Sequence, residues 1–387
     1  KYWKPTINIK NNMTSEEASE GVKHYLVNSL NLRMRSDVPL AFCLSGGVDS
    51  SLLVSLAKNT LKKDVSTFSI IDNDDRYNEK DNIDSITNNL NIKSNLIFLK
   101  DKNNIFFERL KNLTNYHDGP IATLSYYIHS FLSENISRQN YKVAISGTGA
   151  DEIFTGYFDH FLLHLQTLKK TKYFETNLKN WKKHVNPLIR NQYLKDPFIY
   201  IKDHKNRDLV YESHFNLLKY SKFNAKTKFH EINYCQELLR NRMLNELFNE
   251  VVPVILKHDD LNSMYYSIEN RSPYLDKDLL NFSLSIPAHL LIKDGYQKKV
   301  LRDSAKNILV ENIRNDRQKK GFNASIDSLV DLNNPKTFNH IFDEKSSIAE
   351  IIDLKKVKED IKKNFIPNHM SKLLFSIIST KIFIDNK

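Results

Sequence analysis

Leu44-Ser45-Gly46-Gly47-Val48-Asp49-Ser50-Ser51 is the stretch on which the reading of this chain turns. It follows Pro39-Leu40-Ala41-Phe42-Cys43, an apolar run of strand length, and opens onto Leu52-Leu53-Val54-Ser55-Leu56-Ala57-Lys58, whose small and aliphatic residues suit a buried helix. A strand, a glycine turn and a helix in that order make an anion site. Adjacent glycines let the backbone turn sharply and approach a ligand, while the unpaired N–H groups and dipole at the helix start favour negative charge. Ser45, Ser50 and Ser51 add hydroxyl donors. Asp49 has the wrong sign for a phosphate neighbour unless a cation stands between them, so the loop predicts phosphate together with Mg²⁺. The Walker pattern Gly-x-x-x-x-Gly-Lys-[Ser/Thr] is absent. A plain glycine turn between any strand and helix is the competing reading, and a match of this length weighs against it.

From residue 39 onward, strand-like and helical patterns alternate. Strand 39–44 leads through the loop into helix 48–61, and Val65-Ser66-Thr67-Phe68-Ser69-Ile70-Ile71 is a second strand. A helix over 78–90, a short strand at 95–98, helical patterns over 103–116 and 121–135, and the strand Tyr141-Lys142-Val143-Ala144-Ile145-Ser146 follow. This alternation predicts an α/β fold, a Rossmann-like parallel sheet with helices on both faces and ligands at the carboxyl ends of the strands, where Ser45 and Ser146 both stand. Ser15-Glu16-Glu17-Ala18 begins an earlier helix. After Tyr157 the strand signal fades, and the rest reads as helices and polar connectors. The expected organisation is a linker and N-terminal helix over 1–35, an α/β core over 36–160, and a helical part over 161–387 packed on the core. His160 and His164 fall at i, i+4 without a third ligand and are read as ordinary helix surface.

The 387 residues suffice for a full core and more than one lobe. No apolar run reaches membrane-spanning length, and Lys1-Tyr2-Trp3-Lys4-Pro5 does not begin a signal peptide, so the expectation is a cytoplasmic protein with no membrane partner. Cys43 in the predicted strand and Cys235 in a helical region offer neither a disulfide framework nor a metal pair. The net charge of +11 raises the question of nucleic acid, but the lysines are scattered among asparagines and isoleucines rather than gathered in a stripe, and pairs such as Lys169-Lys170 and Lys182-Lys183 read as solvated surface. Glycine is scarcer than usual: nine residues, against roughly 27 at average usage. Gly46, Gly47, Gly147, Gly149, Gly156, Gly295 and Gly321 cluster in four short stretches, which is where the chemistry is sought.

Ser146-Gly147-Thr148-Gly149-Ala150-Asp151-Glu152-Ile153-Phe154-Thr155-Gly156-Tyr157 is a second strand–glycine–helix element. The glycines around Thr148 allow close approach of a base or ribose, and Asp151 and Glu152 place two carboxylates at a helix start. An acidic helix start is also what a plain cap would look like. Beside a first Asp-bearing loop on the same sheet, Asp151 reads as a second metal ligand.

The first loop resembles the SGGxDS loop of the ATP pyrophosphatases, and SGGVDSS followed by SGTGADEIFTGY resembles the synthetase domain of the asparagine synthetases. The similarity continues through Asp260-Leu261-Asn262-Ser263-Met264-Tyr265-Tyr266-Ser267-Ile268-Glu269-Asn270-Arg271-Ser272-Pro273-Tyr274-Leu275-Asp276, matching DRxSMxxSIExRxPFLD. It extends to Gly295-Tyr296-Gln297-Lys298-Lys299-Val300-Leu301-Arg302, matching GxxKxxLR, and Arg317-Gln318-Lys319-Lys320-Gly321-Phe322, matching RxKxGF. The resemblance implies an adenine nucleotide α-hydrolase-like core and an ATP-dependent, AMP-forming carbon–nitrogen ligase. A carboxylate would attack the α-phosphate of ATP, and ammonia would then displace AMP. It implies that Ser45, Gly46, Gly47, Asp49 and Ser50 hold pyrophosphate and metal, that Leu44, Ser146 and Gly147 contact adenosine, that Asp151 binds Mg²⁺, and that Lys298 reaches the reacting carboxyl and phosphate oxygens. Thr148, Glu152, Glu269 and Arg271 are candidates for the substrate pocket, with a structural ion pair as the equal alternative for Glu269 and Arg271.

Thr148 stands where many asparagine synthetases have an acidic residue, and Leu261 where the family has arginine, so the acid is the open point: aspartate first, a sugar acid or another small carboxylate second. A tRNA-modifying ATP pyrophosphatase and a non-catalytic scaffold are the other readings. The retained Asp49, Asp151 and Lys298 argue against the scaffold. The resemblance also implies a glutaminase domain, absent from this chain, or a separate partner supplying ammonia, and homo-oligomers are possible for such a chain.

Overall fold

The computed structural model describes residues 4–206, 218–223, 230–318, 324–362, 366 and 368–386. The alternation read from sequence forms β1 (Leu40–Cys43), β2 (Ser66–Ile71), β3 (Ser94–Phe98) and β4 (Val143–Ile145). A fifth strand, β5 (Glu269–Arg271), completes one parallel sheet of order β3-β2-β1-β4-β5. Central β1 pairs with β2 and β4 at once, with Phe42 opposite both Thr67 and Ile145. β1 and β4, flanked by strands on both sides, are apolar at every position, which makes them visible in the sequence, while β2 and β3 mix Ser, Thr and Asn with their apolar residues. β5 is a three-residue edge strand of Glu, Asn and Arg. It lies within the stretch read as purely helical, and its charged residues give no apolar run by which to find it.

The sheet divides the core in two. Phe42, Leu44, Ile71 and Ile145 face one cluster, with α1 (Ser15–Arg33), α2 (Val48–Ser55) and α3 (Lys80–Leu90); Ala41, Phe68 and Ala144 face the other, with α4 (Phe106–His117) and α5 (Leu124–Arg138). Alternate residues of β1 thus serve opposite layers, as the two-residue period of a strand requires. α1 starts with a capping box, the Thr14 side chain accepting from the Glu17 N–H while the Glu17 carboxylate accepts from the Thr14 N–H at 2.8 Å. Ala18, Val22, Leu26 and Leu30 form its buried stripe.

The helical part packs on both layers. Helix Asn368–Asp385 lays Phe375 against Phe106 and Tyr127, with ring centroids 6.4 and 6.0 Å away. On the opposite layer α6 (Ala150–Phe154) and α7 (Phe158–Leu168) pack with helix Leu238–Asn245. Its Arg240 is wholly buried and donates to the carbonyls of Ser283 (3.2 Å) and Ile286 (2.6 Å). Cys235 sits in the irregular segment before this helix, not in a helix. Among the described residues no helix is long and apolar enough to cross a membrane.

Candidate active site

At the carboxyl end of β1 the chain turns through Gly46, whose φ of +82° is left-handed, into Gly47, the extended cap of α2. The serines fasten this turn to the helix. Ser45 N–H donates to Ser50 Oγ at 3.1 Å, and the two hydroxyls stand 3.0 Å apart. Leu44 is buried behind the loop, its N–H bonded to the Phe68 carbonyl at 2.9 Å. Tyr274, fully buried and named in the sequence without a role, donates its hydroxyl to the Asp49 carbonyl at 3.0 Å and so fixes the first turn of α2 from across the fold.

The second loop leaves β4 beside the first. Ser146 N–H bonds the Arg271 carbonyl of β5 at 2.9 Å, and Ser146 Oγ lies 3.2 Å from Thr148 Oγ1 and 3.4 Å from Ser272 Oγ. At Gly149, φ is +96° and an added β-carbon would stand 2.4 Å from Leu275 Cδ2, so the position excludes a side chain twice over. Gly156 serves Asp151: a β-carbon there would fall 1.6 Å from the Asp151 Oδ1.

Lys298 joins the two loops. It caps the short helix Lys299–Ser304 in a left-handed conformation (φ +53°), and its Nζ lies 2.5 Å from Asp49 Oδ2 and 2.5 Å from Asp151 Oδ1. The side chain is nearly enclosed, at 6% exposure. Burial opposes its charge, but the Asp151 and Asp49 carboxylates outweigh burial and hold the ammonium above the usual lysine range. The other oxygen of Asp49, Oδ1, is shielded from solvent and has no hydrogen-bond partner among the described residues. An orphaned, buried carboxylate oxygen beside a second carboxylate is a donor set that fits Mg²⁺, a cation that takes oxygen ligands.

Glu152 turns away from this trio into the protein. Its carboxyl, 2% exposed, is pushed up to about 7 by burial and then by the neighbouring Asp151 charge, and it accepts a hydrogen bond from the Tyr157 hydroxyl. The Tyr157 ring meets His160 edge-on at 5.3 Å. His160 and His164 are not surface residues. Both are buried, His160 2.8 Å from Glu246 and His164 with Asn177 as a polar neighbour. Helix α7 is covered by Leu238–Asn245, a partner that its own i, i+4 spacing does not reveal. Asp159, His160 and Glu246 could place three ligand atoms within 4.8 Å. Arg242 already supplies the positive charge there, 3.2 Å from Asp159 and 3.5 Å from Glu246, so the group is accounted for as an ion-pair network.

Glu269 and Arg271 pair with each other at 2.7 Å rather than joining the trio. Arg271 also donates to the carbonyls of Arg33 (2.7 Å) and Arg35 (2.8 Å), tying the end of α1 to the sheet edge. Of the RxKxGF stretch, Arg317 and Gln318 are described, and Lys319, Lys320, Gly321 and Phe322 lie outside the described residues.

A sequence model of the asparagine synthase family matches residues 21–377, a span that contains both loops, β5 and Lys298. The chain belongs to the asparagine synthase family. It is 27% identical over 318 residues to asparagine synthetase [glutamine-hydrolyzing] 1 of Bacillus subtilis (strain 168), covering 78% of this chain and 49% of that protein. It is 24% identical over 314 residues to asparagine synthetase [glutamine-hydrolyzing] 2 of the same organism, covering 78% of this chain and 38% of that one. A shorter match, 26% over 158 residues, joins it to the amidase chyE of Penicillium rubens, covering 37% of this chain and 23% of that protein. This asparagine synthase family chain therefore spans about half, or less, of the length of these curated relatives.

Proposed function

We propose that this chain catalyses ATP-dependent amide formation through an acyl-adenylate, with aspartate as the first candidate acid and another small carboxylate as the second. The observation that carries this reading is the Lys298 ammonium held at 2.5 Å from one carboxylate of each loop. In the first step a substrate carboxylate oxygen bonds to the α-phosphorus, and the bond from that phosphorus to the β-phosphate bridging oxygen breaks with its electron pair on pyrophosphate. In the second, ammonia nitrogen bonds to the acyl carbon, the C–O bond to AMP breaks, and a nitrogen-bound proton passes to solvent.

Both steps gather negative charge on phosphate oxygens, so fixed donors and cations are what the protein must supply. The Gly46–Gly47 turn exposes N–H groups at the start of α2 to the pyrophosphate end. Lys298 would meet the reacting oxygens once substrates part it from its carboxylates. Asp49 and Asp151 would hold Mg²⁺, which when bound offsets the charge on the phosphates. Thr148, a hydroxyl facing Ser146 at 3.2 Å, supplies no charge to the acyl side, and this supports keeping acids other than aspartate in view. The ammonia is proposed to come from a glutaminase domain or partner, in the cytoplasm.

The test is a screen of carboxylic acids, aspartate first, for AMP and pyrophosphate release with Mg·ATP and ammonium. The expected result is equimolar AMP, pyrophosphate and amide with one acid. Release of ADP, or no AMP with any acid, would overturn the reading.

A further inference from the structure

Thr155 ends α6 in the left-handed region, at φ +69° and ψ +76°, and is wholly buried. Helices often end on a left-handed residue, but glycine or asparagine usually takes that place, because a branched β-carbon crowds the backbone there. Among the described residues Thr155 is the only β-branched one with a positive φ, although a glycine follows it in the chain. That glycine is committed elsewhere, since Gly156 makes room for the Asp151 carboxylate. A strained conformation persists only where its surroundings hold it, and such residues gather at functional sites.

What Thr155 holds is Lys298. The Lys298 N–H donates to Thr155 Oγ1 at 3.3 Å, and the same hydroxyl shares its hydrogen between the carbonyls of Phe154 and Leu291, the latter at 3.3 Å. Gln297 adds a second stitch between the two turns, its Nε2 donating to the Tyr157 carbonyl at 2.6 Å. Lys298 is left-handed as well, and from this bend its Nζ reaches 2.5 Å from Asp49 and 2.5 Å from Asp151. On its other side Thr155 meets the second carboxylate's own backbone: the Thr155 and Gly156 N–H groups both point to the Asp151 carbonyl, the second at 2.8 Å. Thr155 thus touches the backbone of Asp151 through its N–H and that of Lys298 through its hydroxyl.

We propose that Thr155 is a positioning residue for the reaction, its hydroxyl pinning the Lys298 backbone in the bend that sets the ammonium between Asp49 and Asp151. The inference rests on the AMP-forming reading above and adds a residue that touches no substrate. The strain is kept because a residue without the hydroxyl leaves the Lys298 N–H unheld. If Thr155 were only a helix end, glycine in its place would relieve the strain at no cost to turnover. A lysine that meets charge developing on the reacting oxygens matters in the transition state, so loosening it slows turnover without weakening ATP binding.

Three variants separate these roles. Thr155→Ser keeps the hydroxyl, Thr155→Ala keeps a β-carbon without it, and Thr155→Gly removes both and accepts the left-handed bend. AMP release with the acid found in the screen gives kcat and the KM for Mg·ATP, amide hydrogen exchange of the peptide spanning Lys298 reads how firmly its N–H is held, and thermal melting reads the fold. Thr155→Ser is expected to stay within twofold of wild type in kcat and in exchange. Thr155→Ala and Thr155→Gly are expected to lose at least tenfold in kcat, with KM within twofold and faster exchange at Lys298, and Thr155→Gly melts higher than Thr155→Ala without being more active. Wild-type kcat in either hydroxyl-free variant overturns the inference. So does turnover that follows the melting temperature, with Thr155→Gly the more active of the two, or a tenfold loss in Thr155→Ser. If Thr155→Ala fails to fold, Thr155→Gly decides alone: a tenfold loss of kcat at unmoved KM supports the role and wild-type kcat overturns it. Wild-type AMP release tells the two proposals apart. With AMP release present and kcat insensitive to the hydroxyl, only the role of Thr155 fails; with AMP release absent for every acid, the amidation reading fails first and takes this one with it.

Discussion

Gly147 passes so close to Asp49 that a β-carbon on the glycine would stand 3.3 Å from the Asp49 β-carbon and 3.3 Å from the Ser50 nitrogen. The two loops are therefore in contact through a position that has no side chain. Gly147→Ala is expected to push them apart by a few tenths of an ångström. A near-attack geometry tolerates little displacement, so AMP formation should fall at least tenfold while thermal melting changes by only a few degrees. Wild-type turnover in the variant would show that the loops do not act together.

Asp49→Asn keeps the shape of the side chain and the backbone contact to Tyr274 but removes a charge from the Lys298 trio. AMP formation should drop at least a hundredfold, the scale on which fixed electrostatic groups act, with the fold retained by circular dichroism. Lys298→Ala should likewise abolish AMP formation without unfolding the chain. Normal turnover in either variant would refute the roles proposed for these residues.

Arg242 is buried beside Asp159, Glu246 and Glu250, with the last contact at 3.6 Å. Arg242→Met removes the cation and leaves the acids enclosed, a change that costs about 3–5 kcal/mol. Urea titration should show that loss, and added zinc should not restore stability. Recovery with zinc would mean that Asp159, His160 and Glu246 form a metal site after all.

His164 is buried, and burial, with the His289 charge second and the Asn177 side chain opposing, pushes its pKa down to about 4. Its folded value lies below the unfolded one near 6.5, so the folded state releases the proton that the unfolded state keeps. The stabilisation is complete above the unfolded value and is lost as pH falls from about 6.5 towards 4. Between pH 7 and 5 this amounts to about 2 kcal/mol. His164→Leu should flatten that part of the stability–pH curve measured by denaturant titration; an unchanged slope would assign it to other groups.

Sequence reading reached the sheet where burial on two faces writes an apolar run, as in β1 and β4, and it reached the loops because their glycines have no substitute. It missed β5, whose Glu269, Asn270 and Arg271 are polar because the strand lies at the edge. It placed His160 and His164 on a surface because a helix pattern does not name the helix that covers it. Tyr274 was quoted as part of a motif, yet its bond to the Asp49 carbonyl joins residues far apart in the chain, and no local spacing encodes such a contact. Asp49 and Asp151 stood out as carboxylates in glycine loops at strand ends, whereas Lys298 was legible only through resemblance, since a lysine in a Lys-rich chain carries no signal of its own.

The position of Lys298 in the chain has a consequence for synthesis. Asp49 and Asp151 stand in the first turns of α2 and α6, just beyond strands β1 and β4 that can pair as soon as β4 has emerged, but the ammonium that compensates them arrives only with residue 298. Until then the growing chain carries two carboxylates facing each other across a glycine contact, an arrangement that favours keeping the loops hydrated and apart. The segment that carries Lys298 is thus the one that lets the site close, so a ribosome-bound intermediate that stops short of it would hold β1 to β4 without the completed trio.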